Sequence, residues 1–484
     1  MQYEAVIGLE VHAELLTNTK IFSSVPAKFG GEPNTNVNEI CLGMPGTLPV
    51  LNEKVVDLAL RACRALEFTI PSECTFDRKN YFYPDLPKGY QITQFDKPIG
   101  LKGQLEVNFN GIKKVINITR IHIEEDAGKL VHAGSDRLQG SSYSLADYNR
   151  AGVPLVEIVS EPEIRSSEEA KAYFEELRNV LVYTGVCDGK MQEGSMRCDA
   201  NISIRPIGTE KFGTRVEIKN LNSFKSLQRA IDYEIERQTE ALQYGDKIVQ
   251  ETRLWDENKG VTNTMRVKED ADDYRYFPDP DLVSVIIDDA WLKKIDQELP
   301  ELPKEKRARY IQDYGLSEYD SSVLVNSLEM VKFFEDTVIL KINPKLLTNW
   351  LTGSITTYLN ETGKALNNTK LTPELLHEMI QMIENGTISN KIAKDILNEV
   401  METGDSPVSI VEKKGVTQIS NTDEIMAIIK KIVENNPKQV EEFLAGKVKV
   451  LGFFVGQIMK ATQGRANPDI VNSLLITEIN NHKK

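Results

Sequence analysis

The stretch GLEVHAEL, Gly8 to Leu15, alternates residue by residue, with Leu9, Val11, Ala13 and Leu15 on one side of an extended chain and Glu10, His12 and Glu14 on the other. The apolar side marks a strand lying on a core. The acid and imidazole side is either a solvated sheet face or one wall of a site, and this stretch alone leaves both open. Two further segments repeat the pattern. From Met196 to Arg205, Arg197, Asp199, Asn201, Ser203 and Arg205 alternate with Met196, Cys198, Ala200, Ile202 and Ile204. From Arg215 to Asn220, Arg215, Glu217 and Lys219 oppose Val216 and Ile218, and a hairpin through Pro206 to Thr214 sets the two polar faces side by side.

Glu157 sits inside the apolar run PLVEIVSEP, and a lone buried carboxylate is costly unless it is paired or binds metal. In IHIEEDAGK, His122, Glu124, Glu125 and Asp126 close a strand of otherwise apolar residues. If these strands share one sheet, Glu10, His12, Glu124 or Glu125, Glu157, Asp199 and Glu217 converge on one cavity. Hard oxygen ligands with few nitrogens suit Mg²⁺ better than zinc, and Mg²⁺ implies phosphate chemistry. The sequence contains neither GxxxxGK[ST] nor a kinase-like GxGxxG before a usable lysine, so ATP needs another cradle. Candidate cations are Arg197, Lys219, Arg253, Arg266, Lys268 and Arg275, the last four within a mixed basic, acidic and aromatic segment from Gln250 to Leu282. Taken alone, each Arg is more often a surface salt-bridge donor.

A chain of 484 residues exceeds a single core, so several domains are expected. No run approaches the roughly 18 apolar residues of a spanning helix. The first strand begins close to Met1 without a leader pattern, which points to a cytoplasmic protein. Cys41, Cys63, Cys74, Cys187 and Cys198 form no CxxC pair and read as reduced, mostly buried thiols. A net charge of −14 excludes a protein that coats nucleic acid non-specifically. The segment Asp405 to Lys484, with eleven Lys/Arg against nine Asp/Glu, is the part least repulsive to a polyanion.

Short alternating runs fill the first 292 residues, with helical spacing at Val55–Leu66, Ser167–Thr184 and Phe224–Tyr244. Helical spacing then takes over at Val323–Leu340, Pro344–Leu359 and Pro373–Glu384. A last set follows at Asp423–Asn435, Pro437–Ala445, Lys449–Ala461 and Pro468–Asn480. The expected fold class is α+β: a domain over 1–292 with a large, mostly antiparallel sheet, an all-α domain over 293–405 and a small helical tail over 406–484, with Pro303 and Pro407 near the breaks.

In order along the chain, GLEVHAEL, LGMPGTLPVLN, NYFYPDLPKGYQITQ, IHIEEDAGK, DYNRAGVPLVEIVSEP, MRCDANISIRP, VEIKNLNSF and DYRYFPDPDL resemble the B-subunit (GatB) family of aspartyl/glutamyl-tRNA amidotransferases. The likeness continues to GFFVGQIMKATQGRANPDIVNSLL and covers essentially the whole chain. It implies a cradle domain similar to the catalytic domains of glutamine synthetase and guanido kinases, and a YqeY-like tail. It also implies an activity in which ATP phosphorylates the side-chain carboxylate of misacylated Glu-tRNA(Gln) or Asp-tRNA(Asn) and ammonia displaces the phosphate. The implied cofactors are ATP and Mg²⁺.

The resemblance assigns catalysis to Glu10, His12 and Glu125, and metal ligation to Glu10, His12, Glu125, Asp199 and Glu217, with Glu124 and Glu157 as alternatives. Glu14 is left as a solvated carboxylate. Ammonia is expected from the A-subunit, an amidase (glutaminase), and the small C-subunit makes the complex a heterotrimer. Lys79, Tyr81 and Lys88 match tunnel-lining positions. Lys460 and Arg465 in the tail are expected at tRNA. Some relatives carry a zinc-type CxxC before LGMPG; here Asn38 replaces its first cysteine and no structural zinc is expected. The inserted domain of the archaeal GatE relatives is absent from the sequence, which favours the bacterial three-subunit type. Two competing functions are a non-catalytic tRNA scaffold for the amidase and a small-molecule amide ligase. The acid-rich faces argue against the first, and the terminal helices against the second.

Overall fold

The computed structural model describes residues 2–133, 142–267, 274–415, 422–462, 466 and 468–481. The chain divides into two compact units, Met1–Pro303 and Lys304–Lys484.

In the first unit the strands are β1 (Tyr3–Glu14), β2 (Glu73–Cys74), β3 (Asp77–Asn80), β4 (Tyr90–Thr93), β5 (Gly100–Phe109), β6 (Ile112–Glu125), β7 (Lys129–His132), β8 (Ser144–Asp147), β9 (Pro154–Ser160), β10 (Met196–Pro206), β11 (Val216–Leu221), β12 (Glu251–Asp256), β13 (Val261–Val267), β14 (Phe277–Pro278) and β15 (Val285–Ile286). Its helices are α1 (Glu53–Ala65), α2 (Ser167–Tyr183), α3 (Phe224–Tyr244) and α4 (Asp289–Glu298). Among the described residues one large sheet runs β13-β12-β11-β10-β1-β9-β6-β4-β3-β14, with β5 also paired to β6. All its pairings are antiparallel except β11 with β12.

β1 lies at the middle of this sheet because both its edges are paired and one face is wholly apolar. Leu9, Val11 and Ala13 are 0% exposed and join a core built with α1, α2 and α3. Side-chain caps set where the helices begin: Asn52 accepts from the N–H of Lys54, Ser166 from that of Glu169 and Ser223 from that of Ser226. Gly245, at φ +86°, ends α3 in a left-handed turn that suits glycine. In β6 a bulge between Ile118 and Arg120 switches the face of the strand. Ile116 and Ile118 before it and Ile121 and Ile123 after it are therefore all buried.

The expected boundary at 292 falls inside α4, which packs on α1 through Ile295 and the Arg64–Asp296 ion pair, so the first unit continues to Pro303.

The second unit is helical: α5 (Pro303–Tyr314), α6 (Glu318–Val325), α7 (Leu328–Val338), α8 (Pro344–Trp350), α9 (Thr356–Thr362), α10 (Pro373–Glu384), α11 (Asn390–Thr403), α12 (Pro407–Lys414), α13 (Thr422–Glu434), α14 (Pro437–Leu444), α15 (Leu451–Ala461) and α16 (Pro468–Asn481). A π-helical turn, Leu351–Ile355, joins α8 to α9. The single helix expected over Val323–Leu340 is two, because Ser327 caps a new start by accepting from the N–H of Met330. α12 packs on α10 and α11, while α13 to α16 gather around Ile425, Ile429, Phe454, Ile458 and Leu475.

Leu9→Ala, at a fully buried position, is expected to destabilise the first unit by about 3 to 5 kcal/mol, read as a lower denaturant midpoint. Leu16→Ala, at a residue 50% exposed, is expected to change it by less than about 0.5 kcal/mol.

Candidate active site

The sheet register assembles the polar face. His12 on β1 stands opposite Glu157 on β9 and Arg197 on β10, and Glu157 stands opposite His122 on β6. Glu10 pairs with Asp199 on β10, Asn201 with Glu217 on β11, and Glu217 with Thr252 on β12. Alternation therefore brings residues of β6, β9, β1, β10, β11 and β12 to one surface, opposite the apolar core.

Two clusters result. In the first, His12 Nε2 lies 3.5 Å from Glu157 and 3.6 Å from Glu124, and His122 Nε2 lies 3.3 Å from Glu157 and 3.7 Å from Glu124. Burial acts to raise the Glu157 carboxyl, but the charges and hydrogen bonds of His122 and His12 outweigh it and hold the group well below the usual carboxylate range. In return, although burial opposes it, Glu157 and Glu124 push His122 up to about 9 and Glu157 raises His12. In the second cluster, Asn201 donates to Glu10 at 2.8 Å, Thr252 donates to Glu217 at 2.8 Å, and Lys219 Nζ lies 2.5 Å from Asp199 and 3.3 Å from Glu217. Burial, with Glu157, Glu217 and Asp199 nearby, raises the Glu10 carboxyl. Lys219 is raised as well, because Asp199 and Glu217 overcome the cost of its burial.

Both clusters fit a divalent cation. One ligand atom from each of His12, Glu124 and Glu157 lies within 4.8 Å of the others, and the same holds for Glu10, Asp199 and Glu217. The second set is all carboxylate, as a hard cation prefers, and the first adds one imidazole. Buried polar atoms point the same way: among the described residues His12 Nδ1, His122 Nδ1 and Asn201 Oδ1 have no hydrogen-bond partner.

Glu125 is not brought into either cluster. It has the strand parity of Ile121 and Ile123, and its carboxylate accepts from Lys88 Nζ at 2.5 Å and from the N–H of Ile92 at 2.9 Å. Arg197 is on the site face but bidentate to buried Asp126, at 3.0 Å for both bonds. Arg253 pairs in register with Ile218, on the helix-packed face. There it reaches Glu251, Thr262 and Glu234 of α3, which removes it from the polar surface. Arg266 pairs through its backbone with Thr252. Lys268 lies outside the described residues, and Arg275 is exposed at φ +45°.

Lys79 Nζ sits over the rings of Tyr274 and Tyr81, at 4.7 and 5.7 Å. Lys460 is exposed in the last turn of α15, and Arg465 lies outside the described residues. All five cysteines are buried free thiols.

Comparison with known proteins agrees with the motif order. Residues 5–293 match the model of the GatB/GatE catalytic domain and residues 332–479 that of the GatB domain. The chain belongs to the GatB family. The B-subunit of aspartyl/glutamyl-tRNA(Asn/Gln) amidotransferase from Thermoanaerobacter pseudethanolicus is 54% identical over 479 residues, covering 99% of this chain and 100% of the relative. The protein of the same name from Thermosynechococcus vestitus is 56% identical over 485 residues, covering 99% and 97%. That from Macrococcus caseolyticus is 53% identical over 479 residues, covering 99% of each chain.

Within this GatB fold, sequence reasoning underweighted His122, Asn201 and Tyr276. His122 shares strand parity with Glu124, so its signal was in the alternation. Asn201 looked like a neutral member of a polar face. Tyr276, whose ring stacks on Phe95 at 4.0 Å and whose hydroxyl is raised by burial and by Glu124, needed the tertiary fold to be found.

His12 must be neutral to ligate a metal, and a protonated His122 beside Glu157 repels one, so Mn²⁺ or Mg²⁺ binding is expected to tighten as pH rises toward about 9, where His122 loses its proton, with proton release measured by calorimetry in buffers of different ionisation enthalpy. The metal-free protein changes the other way. His122 is raised from 6.5 to about 9, so its stabilising pairing with Glu157 is complete below 6.5 and is lost as pH passes about 9. Metal affinity independent of pH across this window contradicts the assignment.

Proposed function

We propose that this chain amidates the side-chain carboxylate of glutamate or aspartate esterified to tRNA(Gln) or tRNA(Asn), using ATP, within a complex that supplies ammonia. The observation that carries the reading is the pair of ligand clusters on one sheet face, joined through Glu10 and His12 of a single strand. The names of the relatives, each the B-subunit of such an amidotransferase, support the substrate class.

In the first step an oxygen of the side-chain carboxylate attacks the γ-phosphorus of ATP, and the bond from that phosphorus to the ADP oxygen breaks, leaving an acyl phosphate and ADP. Ammonia then adds through its lone pair to the acyl carbon. The carbon–oxygen bond to phosphate breaks, and loss of a proton leaves the amide. Activation is required because an unmodified carboxylate has a poor leaving group.

Mg²⁺ held by Glu10, Asp199 and Glu217 and by His12, Glu124 and Glu157 would offset charge on the phosphoryl oxygens. Asn201 and Thr252 fix the carboxylates of Glu10 and Glu217 by hydrogen bonds, and His122 orients Glu157. Lys219 and Arg197 supply fixed positive charge at the same face, Lys219 against Asp199 and Arg197 against Asp126. Glu125 serves the site from behind, holding Lys88 and the strand that carries Ile92.

Ammonia comes from the glutaminase A-subunit, and the C-subunit is the third member of the heterotrimer. Lys79, Tyr81 and Lys88 line its approach, with the Lys79 ammonium held over the Tyr81 and Tyr274 rings and Lys88 on Glu125. The tail, with Lys460 and Arg465, contacts tRNA, and the complex works in the cytoplasm. In the described residues no helix is long and apolar enough to cross a membrane.

In the reconstituted complex, His12→Ala and Glu217→Gln are expected to lower transfer of the γ-phosphoryl group to Glu-tRNA by about a hundredfold or more, while tRNA affinity stays within a few fold. Unchanged transfer in both variants contradicts the site. With the glutaminase partner inactivated, ammonium is expected to sustain amidation and glutamine is not. Glutamine-driven amidation by this chain alone contradicts the division of labour.

A further inference from the structure

Beyond the two clusters, the polar face of β1 ends at Glu14, which lines a cavity of about 400 Å³ together with Lys28, Phe29, Lys129 and Arg150 and with two carboxylates that already have partners, Asp147 on the N–H groups of Asn34 and Asn149 and Glu193 on Lys190. Glu14 is partly buried, and among the described residues its carboxylate makes no hydrogen bond or ion pair. The neighbouring cations do not meet it: Arg150 is spent on Asp126 at 3.3 Å and on the carbonyls of Ala127 and Gly128. A carboxylate withdrawn from water without a partner is costly, which suits a position completed by a cationic group of a ligand. The rim differs in character. Lys28 and Lys129 are exposed, and Phe29 is 74% exposed, so cations and an open aromatic ring stand at the mouth.

We propose that this cavity receives the aminoacylated end of the RNA, with Glu14 accepting hydrogen bonds from the α-ammonium group of the amino-acid ester. This rests on the amidation reading and adds to it a recognition residue for the aminoacyl group. Spacing supports the pose. Glu14 is two residues beyond His12 on the same face, about 6.7 Å along the strand. In an extended glutamyl group the α-nitrogen and the side-chain carboxyl carbon are separated by four bonds, about 5 Å. An ammonium hydrogen-bonded to Glu14 therefore points the reacting carboxylate toward His12, Glu124 and Glu157. ATP carries no cationic group to complete Glu14, which favours the aminoacyl ester over the nucleotide as occupant. Lys28 and Lys129 then face the terminal phosphates, and Phe29 offers a surface on which the last base can stack.

The test uses the complete amidotransferase complex with ammonium as nitrogen donor and compares glutamyl-tRNA with the glutaryl ester, the same acyl group without its amine. Wild type is expected to use glutaryl-tRNA with kcat/KM lower by about tenfold to a hundredfold, as for loss of a charged hydrogen bond. Glu14→Gln is expected to bring glutamyl-tRNA down to the glutaryl level while leaving glutaryl-tRNA as it was, so that the two losses do not add. Equal use of the two esters by wild type overturns the proposal and leaves the amidation reading standing. A Glu14→Gln variant that loses the same factor on both esters also overturns it. Failure of the wild-type complex to amidate glutamyl-tRNA defeats the amidation reading, and this proposal with it.

Discussion

Mutual repulsion among carboxylates is the constraint on which this structure turns. Glu10, Glu124, Glu157, Asp199 and Glu217 share one face of a sheet, and like charges at that spacing destabilise the fold unless each is matched. The match comes from His12 and His122 on Glu157 and Glu124, and from Lys219 on Asp199 and Glu217. On the same face Arg197 neutralises buried Asp126, and behind it Lys88 neutralises Glu125. The same constraint bears on the proposed chemistry: a surface that gathers carboxylates beside a few side-chain cations is one on which a divalent cation and its phosphates would be matched in charge.

The apolar side of β1 makes this arrangement durable. Leu9, Val11 and Ala13 hold the strand against a helix-packed core, so the alternating acids cannot turn away from one another without exposing that core. Strands rather than loops therefore carry the candidate ligands, and neighbouring side chains such as Asn201 and Thr252 fix the orientation of Glu10 and Glu217. The Tyr81 and Tyr274 rings beside Lys79 and the open ring of Phe29 lie instead outside the strands, although Lys79 itself is on β3.

Much of this was legible in the sequence, because strand alternation is a local signal. The facing of Glu10 and His12, the β10–β11 hairpin and the helices α1 to α3 follow from spacing alone. Parity with His122 puts Glu124 rather than Glu125 on the site face, whereas the resemblance points to Glu125. Arg253 could not be excluded without the β11–β12 register, which sets it beside Ile218, since a parallel pairing across α3 leaves no local mark. The break between α6 and α7 rests on one serine cap, and α11 and α12 follow short polar turns, their apolar positions packing only within the assembled unit. Glu14 was invisible as a recognition residue because its solitude is a property of the cavity, not of its neighbours in sequence.

Anomalous scattering from crystals of the complex grown with Mn²⁺ and a non-hydrolysable ATP analogue tests the central claim most directly. The account predicts manganese peaks within ligand distance of Glu10, Asp199 and Glu217 and of His12, Glu124 and Glu157, with the γ-phosphate beside them. Nucleotide bound elsewhere, with Lys219, His12 and His122 still filling both clusters and no manganese between the carboxylates, would contradict it.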